Sequence, residues 1–138
     1  MSRREVRELT FKLLFQIEFN TREELEKNME YFFLDETMSV QETTQLEIRE
    51  KVNAILEQQE KIDNMIREKS IGWSLERIGK VELTILRLGI YEVMMDEDVP
   101  ESVAINEAVE LAKKFGPEDA PGFINGILAK FAKTKNVQ

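Results

Sequence analysis

The sequence predicts an all-α fold, and three observations support this prediction. Apolar residues recur at spacings of three and four through most of the chain, which is the period of a helix with one buried face. No run alternates apolar and polar residues in the manner of a half-buried strand. Six glycines and three prolines leave little room for the many turns of an all-β protein. At 138 residues and 42% hydrophobic content, the chain fits one compact domain, or two small helical halves that share a core.

Capping-box patterns mark three helix starts in the N-terminal half, about residues 1–70. Each pattern pairs a Ser or Thr with a Glu three residues later, which satisfies two backbone N–H groups reciprocally. The patterns begin at Ser2, Thr21 and Ser39. The stripes predicted to be buried are Val6, Leu9, Leu13 and Ile17; then Leu25, Met29, Phe32 and Phe33; then Ile48, Val52, Ile55, Leu56, Ile62, Met65 and Ile66. The third stripe is long for one helix, so a break between residues 57 and 62 is expected.

The C-terminal half, about residues 71–138, is organised around a helix that is apolar on nearly every side. Two apolar stripes run between Val81 and Val93, and such a helix packs against several neighbours. Its polar residues are expected to point to solvent or to a partner, because an unpaired buried charge is costly. These residues are Glu82, Arg87 and Glu92. Solvated pairs within the helix are the alternative.

Two further helices complete this half. The first is expected from about Val103 to Phe115, with Ser102 as its N-cap and a Gly-Pro pair after its end. Its predicted buried face consists of Ile105, Ala108, Val109, Ala112 and Phe115. The last helix is expected to follow Asp119 as its N-cap, and Gly126 within it is expected to permit close approach of a neighbouring helix.

The composition argues against an enzyme. The chain has no cysteine and no histidine, which removes thiol nucleophiles, imidazole bases and metal sites built on either residue. With 27 acidic residues, carboxylates come close together by chance, so the neighbours Glu118 and Asp119 carry little catalytic information. We expect no cofactor, no metal and no small-molecule substrate.

The chain is expected to be cytoplasmic and without a membrane partner. No stretch approaches the roughly 20 apolar residues of a membrane span, and the N-terminus lacks the features of a signal peptide. The net charge of −8 alone argues against avid nucleic-acid binding, because the phosphate backbone is polyanionic. Basic residues nevertheless concentrate at the two ends, and the first 15 residues carry four basic and two acidic side chains.

The first predicted helix places arginines and aromatic residues on one exposed flank. Arg3, Arg4 and Arg7 lie beside Phe11, with Phe15 further round at 100° per residue. Arginine forks bind phosphates and aromatic rings stack on unpaired bases, so the flank suggests RNA. A solubilising helix start is the alternative, although cations at a helix N-terminus oppose its dipole.

Several motifs in order resemble the NusB family of bacterial transcription antitermination factors, over essentially the full length. The resemblance rests on RREVRE at 3–8, LFQ at 14–16, Trp73 and Arg77, ILRLGIYE at 85–92, VP at 99–100, AINEAVELAK at 104–113, FG at 115–116 and FING at 123–126. It implies about seven helices in two packed bundles, which together form one compact domain over residues 1–138.

The resemblance also implies a function. Members bind the boxA element of nascent RNA together with NusE, a small-subunit ribosomal protein, and act with other Nus factors and RNA polymerase, notably in ribosomal RNA operons. The residues implied to bind RNA are Arg3, Arg4, Arg7, Arg87, Phe115, Gly116, Glu118, Asp119 and Phe123. Phe15 and Glu82 fall where NusE contact is expected. Since Glu5 and Glu8 interrupt the arginine-rich stretch, binding shared with NusE is the expected mechanism.

Two alternative classes of protein do not fit the sequence, and a third stays open. Similar helical domains precede the catalytic domain of some ribosomal RNA cytosine methyltransferases, but this chain has no glycine-rich loop and no length for a cofactor-binding sheet. A di-iron helical bundle needs Glu-x-x-His pairs, which a chain without histidine does not have. A purely structural protein-interaction module stays open, and RNA binding by the complex with NusE would separate it from the antitermination reading.

Overall fold

The computed structural model describes residues 1–19, 22–36, 40–70, 72 and 74–136. Within these residues the secondary structure is helical, with seven α-helices and two short 3-10 helices, so the all-α prediction is confirmed. The predicted caps Thr21 and Ser39, and Trp73, lie outside the described residues. The α-helices are α1 (Arg3–Ile17), α2 (Leu25–Glu36), α3 (Glu42–Glu57), α4 (Gln59–Lys69), α5 (Lys80–Met94), α6 (Glu101–Phe115) and α7 (Ala120–Asn136). The 3-10 helices are Arg22–Glu24 and Leu75–Arg77.

The chain divides into two compact units, Met1–Glu57 and Gln58–Gln138. The division falls at the predicted helix break, where Gln58 has φ −98° and ψ 5° and so leaves the helical region. The sequence predicts the boundary between the two halves near residue 70. The α4 helix belongs to the second unit because it packs against α5 and α7.

In the first unit, α1 packs against both α2 and α3. The predicted capping box is confirmed: the Glu5 N–H donates to Ser2 Oγ over 3.1 Å, and the Ser2 N–H donates to Glu5 Oε1 over 2.9 Å. The hydrogen bond from the Ser2 backbone lowers the pKa of the Glu5 carboxyl. The predicted core stripes are confirmed except at Leu25 and, in the part of the third stripe that lies in α4, at Met65; both residues are half-buried. The buried residues include Val6, Leu9, Leu13, Ile17, Met29, Phe32, Phe33, Ile48, Val52, Ile55 and Leu56.

In the second unit, α5, α6 and α7 pack against one another in all three pairings. The close approach between helices occurs at Gly89, where an added Cβ would lie 2.9 Å from Leu128 Cδ1 and 3.5 Å from the Ala108 Cβ. Gly126 was expected to have this role, but that prediction is wrong: Gly126 is exposed and an added Cβ would meet nothing within 4 Å. The periodicity placed a glycine on the helix but did not show which face the neighbouring helix covers.

The α6 helix begins two residues earlier than expected. Pro100 rather than Ser102 is its N-cap, with φ −59° and ψ 143°, and the Ala104 N–H donates to the Pro100 carbonyl over 2.9 Å. The proline ring already fixes the φ angle, so the helix starts directly after it. The buried face is turned relative to the prediction. Ala104 and Leu111 are buried with Ala108 and Ala112, whereas Ile105, Val109 and Phe115 are half-buried.

A buried ion pair joins α4 to α5. Arg87 Nε donates to Asp63 Oδ1 over 2.9 Å, and Arg87 Nη2 donates to Asp63 Oδ2 over 3.0 Å. The expectation that Arg87 and Glu92 point to solvent or a partner is wrong, because they are 7% and 1% exposed. The counter-charge of Arg87 comes from a residue 24 positions earlier, which helical spacing does not reveal.

A second polar contact joins α4 to α7. Lys130 Nζ donates to the carbonyl oxygen of Lys69 over 2.9 Å. Lys69 is the last residue of α4, so its carbonyl has no acceptor role within that helix. The lysine thus supplies a hydrogen bond and a positive charge at the negative end of the α4 dipole.

We predict that Arg87→Met lowers the free energy of unfolding by about 3–5 kcal/mol, because it leaves the Asp63 carboxylate buried without its partner. Urea unfolding followed by circular dichroism measures the change. The double variant Asp63→Leu with Arg87→Met should recover most of the loss, since two apolar residues need no counter-charge.

The matched control is Glu110→Gln, which removes one side of the surface pair between Lys113 and Glu110. It should change stability by less than about 0.5 kcal/mol. A loss of similar size in this control and in Arg87→Met would contradict the assignment of a structural role to the buried pair.

Candidate nucleic-acid interface

The three arginines predicted to bind RNA lie in the first turn and a half of α1. Arg3 and Arg4 are exposed and Arg7 is half-buried. Arg3 Nη2 donates to Glu47 Oε1 of α3 over 2.7 Å, and this guanidinium lowers the pKa of the Glu47 carboxyl. The capping box holds this end of α1 in helical form, so the three guanidinium groups share one short helical segment.

The aromatic side of the same helix differs from the prediction. Phe11 was expected on the exposed flank but is 3% exposed, because it faces the core of the first unit together with its neighbours. Phe15 is half-buried, and its ring lies between two others: 6.0 Å from Phe11 in a stacked arrangement and 5.1 Å from Phe19 edge to face. Phe19 is 62% exposed.

Sequence reasoning missed Phe19. The signal was present, because Phe11, Phe15 and Phe19 repeat at four-residue spacing, although Phe19 lies two residues beyond the end of α1. The three rings form one row, in which Phe11 is buried and Phe19 is exposed.

The second predicted region surrounds the connection between α6 and α7. Phe115, Gly116 and Phe123 are half-buried, and Glu118 and Asp119 are exposed. The structure therefore brings these five residues into one turn and the two helix ends beside it. The backbone is tightly packed at this point, since a Cβ on Gly116 would meet the Ala120 Cβ at 2.8 Å and the Ala112 carbonyl oxygen at 3.0 Å.

Asp119 stands at the N-cap position of α7, as predicted. The helix begins at Ala120, and the Phe123 N–H donates to the Asp119 carbonyl over 3.3 Å. Among the described residues, however, no hydrogen bond joins the Asp119 carboxylate to the backbone of α7. Its stabilising effect is thus limited to the interaction of its charge with the helix N-terminus.

Lys114 is a second residue that sequence reasoning missed. Its Nζ lies 5.6 Å from the centroid of the Phe115 ring, so a positive charge accompanies that ring at the end of α6. The neighbouring Lys113 extends elsewhere, to Glu110 Oε2 at 3.0 Å. Two adjacent lysines before an aromatic residue could have indicated this arrangement, but their directions are visible only in the structure.

Glu82, the residue expected to contact NusE, lies in the first turn of α5 and is half-buried. Its carboxylate folds back toward the N-cap Gly79, so that a Cβ at residue 79 would meet Glu82 Oε1 at 2.8 Å. A negative charge at this end of the helix is favourable. Arg87, on the same helix and implied by the family resemblance to bind RNA, is instead buried against Asp63.

The arrangement offers cations and rings rather than catalytic groups. The first unit carries Arg3, Arg4 and Arg7 at the start of α1 and Phe15 near its end, and the second holds Glu82 and the α6–α7 connection. In the described ranges, no group of acidic side chains is placed to hold a metal ion, and none of the helices is both long and apolar enough to cross a membrane.

Comparison with known proteins decides the family. The model of the NusB family matches residues 4–133. The chain belongs to the NusB family. The transcription antitermination protein NusB of Agathobacter rectalis is 46% identical over 132 residues, covering 96% of this chain and all of that protein. This membership confirms the family predicted from the motifs and, since these relatives are transcription antitermination proteins, the prediction that the chain is not an enzyme.

Solved structures agree with the fold. NusB of T. maritima superposes with a TM-score of 0.85 and 39% identity, covering 96% of this chain and 92% of that one. A structure of the antitermination factors NusB and NusE in complex with double-stranded RNA superposes with a TM-score of 0.82 and 24% identity, covering 96% of each chain. At that identity the second likeness concerns the fold.

Proposed function

We propose that this protein is a transcription antitermination factor that binds boxA RNA of nascent transcripts together with NusE, notably in ribosomal RNA operons. The observation that carries the proposal is the arginine-bearing start of α1, exposed on a member of the NusB family. Other Nus factors and RNA polymerase are the further partners in a larger complex. A cytoplasmic location follows from action on nascent transcripts.

In the first unit, Arg3, Arg4 and Arg7 would bind phosphates. Guanidinium groups present planar forks of N–H donors that match phosphate oxygens, and they stay charged at any physiological pH. Three cations at the N-terminus of a helix oppose the helix dipole, and the negative charge of a polyanionic ligand would offset this cost.

In the second unit, the α6–α7 connection would contact unpaired bases. Phe115 and Phe123 are half-buried aromatic residues, and stacking of a base on an aromatic ring contributes about 1–3 kcal/mol. Lys114 beside Phe115 would attract the phosphate of a nucleotide stacked there. Glu118 and Asp119 would favour bases over phosphates at their end of the turn, because carboxylates repel the backbone. Gly116 would keep the turn tight.

NusE would supply what this acidic chain lacks. The net charge of −8 disfavours RNA binding by this protein alone. A basic ribosomal protein would add positive charge and form a composite RNA-binding surface with it. Glu82 would offer a carboxylate and Phe15 an aromatic ring to that partner, and both residues are half-buried. A relative of the same fold has been solved with NusE and double-stranded RNA, which supports this choice of partners.

The central experiment is a titration of labelled boxA-like RNA with this protein, with and without NusE, at several salt concentrations. We expect tighter binding with NusE than with either protein alone, and weaker binding of a scrambled RNA of equal length. Binding to NusE without any RNA binding would favour the alternative of a structural protein-interaction module.

The double variant Arg3→Ala with Arg7→Ala should weaken RNA binding and flatten its dependence on salt. Each phosphate contact to a single strand contributes about 0.7 to the slope of log affinity against log salt, so two contacts contribute about 1.4. The control is Lys61→Ala with Arg67→Ala, which removes two exposed positive charges from α4. Equal losses in both variants would mean that net charge, and not the start of α1, governs binding.

Glu82→Lys should weaken NusE association by more than tenfold, because it sets two positive charges against each other at the interface. It also places a cation at the N-terminus of α5, so a loss of about 0.3–1 kcal/mol in stability is expected. Titration calorimetry with NusE measures the effect. Glu97→Lys makes the same charge change at an exposed position in the α5–α6 connection and should leave the affinity unchanged.

Asp119→Asn should tighten RNA binding about twofold, because it removes an exposed negative charge near the phosphates. Stability should fall by no more than about 0.3–1 kcal/mol, because the substitution removes only the interaction of the carboxylate charge with the N-terminus of α7. Asp98→Asn, in the α5–α6 connection, serves as the control of equal charge. Weaker binding by Asp119→Asn would show that the carboxylate accepts hydrogen bonds from the RNA.

A further inference from the structure

A glutamate of α3 holds the first arginine of α1. Glu47 and Arg3 are 44 positions apart in the sequence, yet Glu47 Oε1 accepts a hydrogen bond from Arg3 Nη2 over 2.7 Å. The side chains are 45% and 71% exposed, so the pair lies at the surface of the first unit. This pair is exposed, whereas the pair between Asp63 and Arg87 is buried.

The chemistry of this contact matches that of a phosphate contact. A carboxylate and a phosphate both present anionic oxygens to the guanidinium N–H groups, and both accept charge-assisted hydrogen bonds of this length. The Arg3 guanidinium holds the pKa of the Glu47 carboxyl below its usual range, so the pair is ionised at neutral pH. Exposed ion pairs of this kind contribute little to stability. A ligand can therefore displace the Glu47 carboxylate from Arg3 at a small cost in free energy.

We propose that Glu47 competes with RNA phosphate for Arg3. This inference rests on the proposed function and deepens it by assigning a role to a residue outside the predicted site. In the unbound protein Glu47 keeps the Arg3 guanidinium on the surface of α3. RNA binding then requires the exchange of a carboxylate for a phosphate at the same N–H groups.

The exchange lowers the affinity for RNA by the strength of the exposed pair, which corresponds to about a twofold to fivefold change. An RNA that makes several contacts at once overcomes this reduction, whereas a chance phosphate contact at Arg3 alone gains little. Glu47 thus favours an RNA that makes several contacts with the protein over a single phosphate that contacts Arg3 alone.

The test uses Glu47→Gln, which keeps the shape of the side chain and removes its charge. Glu50→Gln is the matched control, because Glu50 is exposed one turn further along α3 and its loss changes the net charge equally. Binding of labelled boxA-like RNA in the presence of NusE should tighten about twofold to fivefold for Glu47→Gln and less for Glu50→Gln. Circular dichroism checks that each variant is folded.

A double-mutant cycle with Arg3→Ala separates the competition of Glu47 for Arg3 from the general effect of removing one negative charge. If Glu47 acts by holding Arg3, Glu47→Gln should have no more effect than Glu50→Gln once Arg3 is absent. An equal gain with and without Arg3, or equal gains for Glu47→Gln and Glu50→Gln, would overturn the inference and leave the proposed function in place. Absence of RNA binding by every variant and by the wild type would overturn both.

Discussion

The second unit depends on the need to cover α5 on every side. A helix this apolar cannot stay in water, so α4, α6 and α7 each pack against it. The same constraint applies to the one arginine of the helix, because the Arg87 side chain is only 9% exposed. Asp63 of α4 therefore has to lie opposite, and the position of α4 is fixed by charge as well as by apolar packing.

Local patterns were enough to predict much of the fold. Helical spacing identified the buried stripe of α1, and the Ser2 capping box and the end of α6 at Phe115 follow from short-range chemistry. Tertiary packing decided the remainder. Phe11 and the face of α6 were misplaced because a helical stripe does not reveal how many neighbours cover the helix. Gly126 and Gly89 look alike in the sequence, and only the packing of α7 distinguishes them.

The candidate site also has residues that could be predicted from the sequence and contacts that could not. The arginines of α1 and the rings near the α6–α7 connection were found from residue type and from resemblance to the family. The directions of Lys113 and Lys114 were not predictable, since adjacent residues with the same charge extend to different neighbours. The partner of Arg3 was equally hidden, because Glu47 becomes its neighbour only when α1 packs against α3.

Gly89 sets how closely α5 and α7 pack. A Cβ at position 89 would lie 2.9 Å from Leu128 Cδ1, which is closer than two carbon atoms normally approach. A larger residue at position 89 therefore requires the Leu128 side chain to change its rotamer, or α5 and α7 to move apart. The glycine and the leucine thus form one steric contact, in which the size of one side chain limits the conformation of the other.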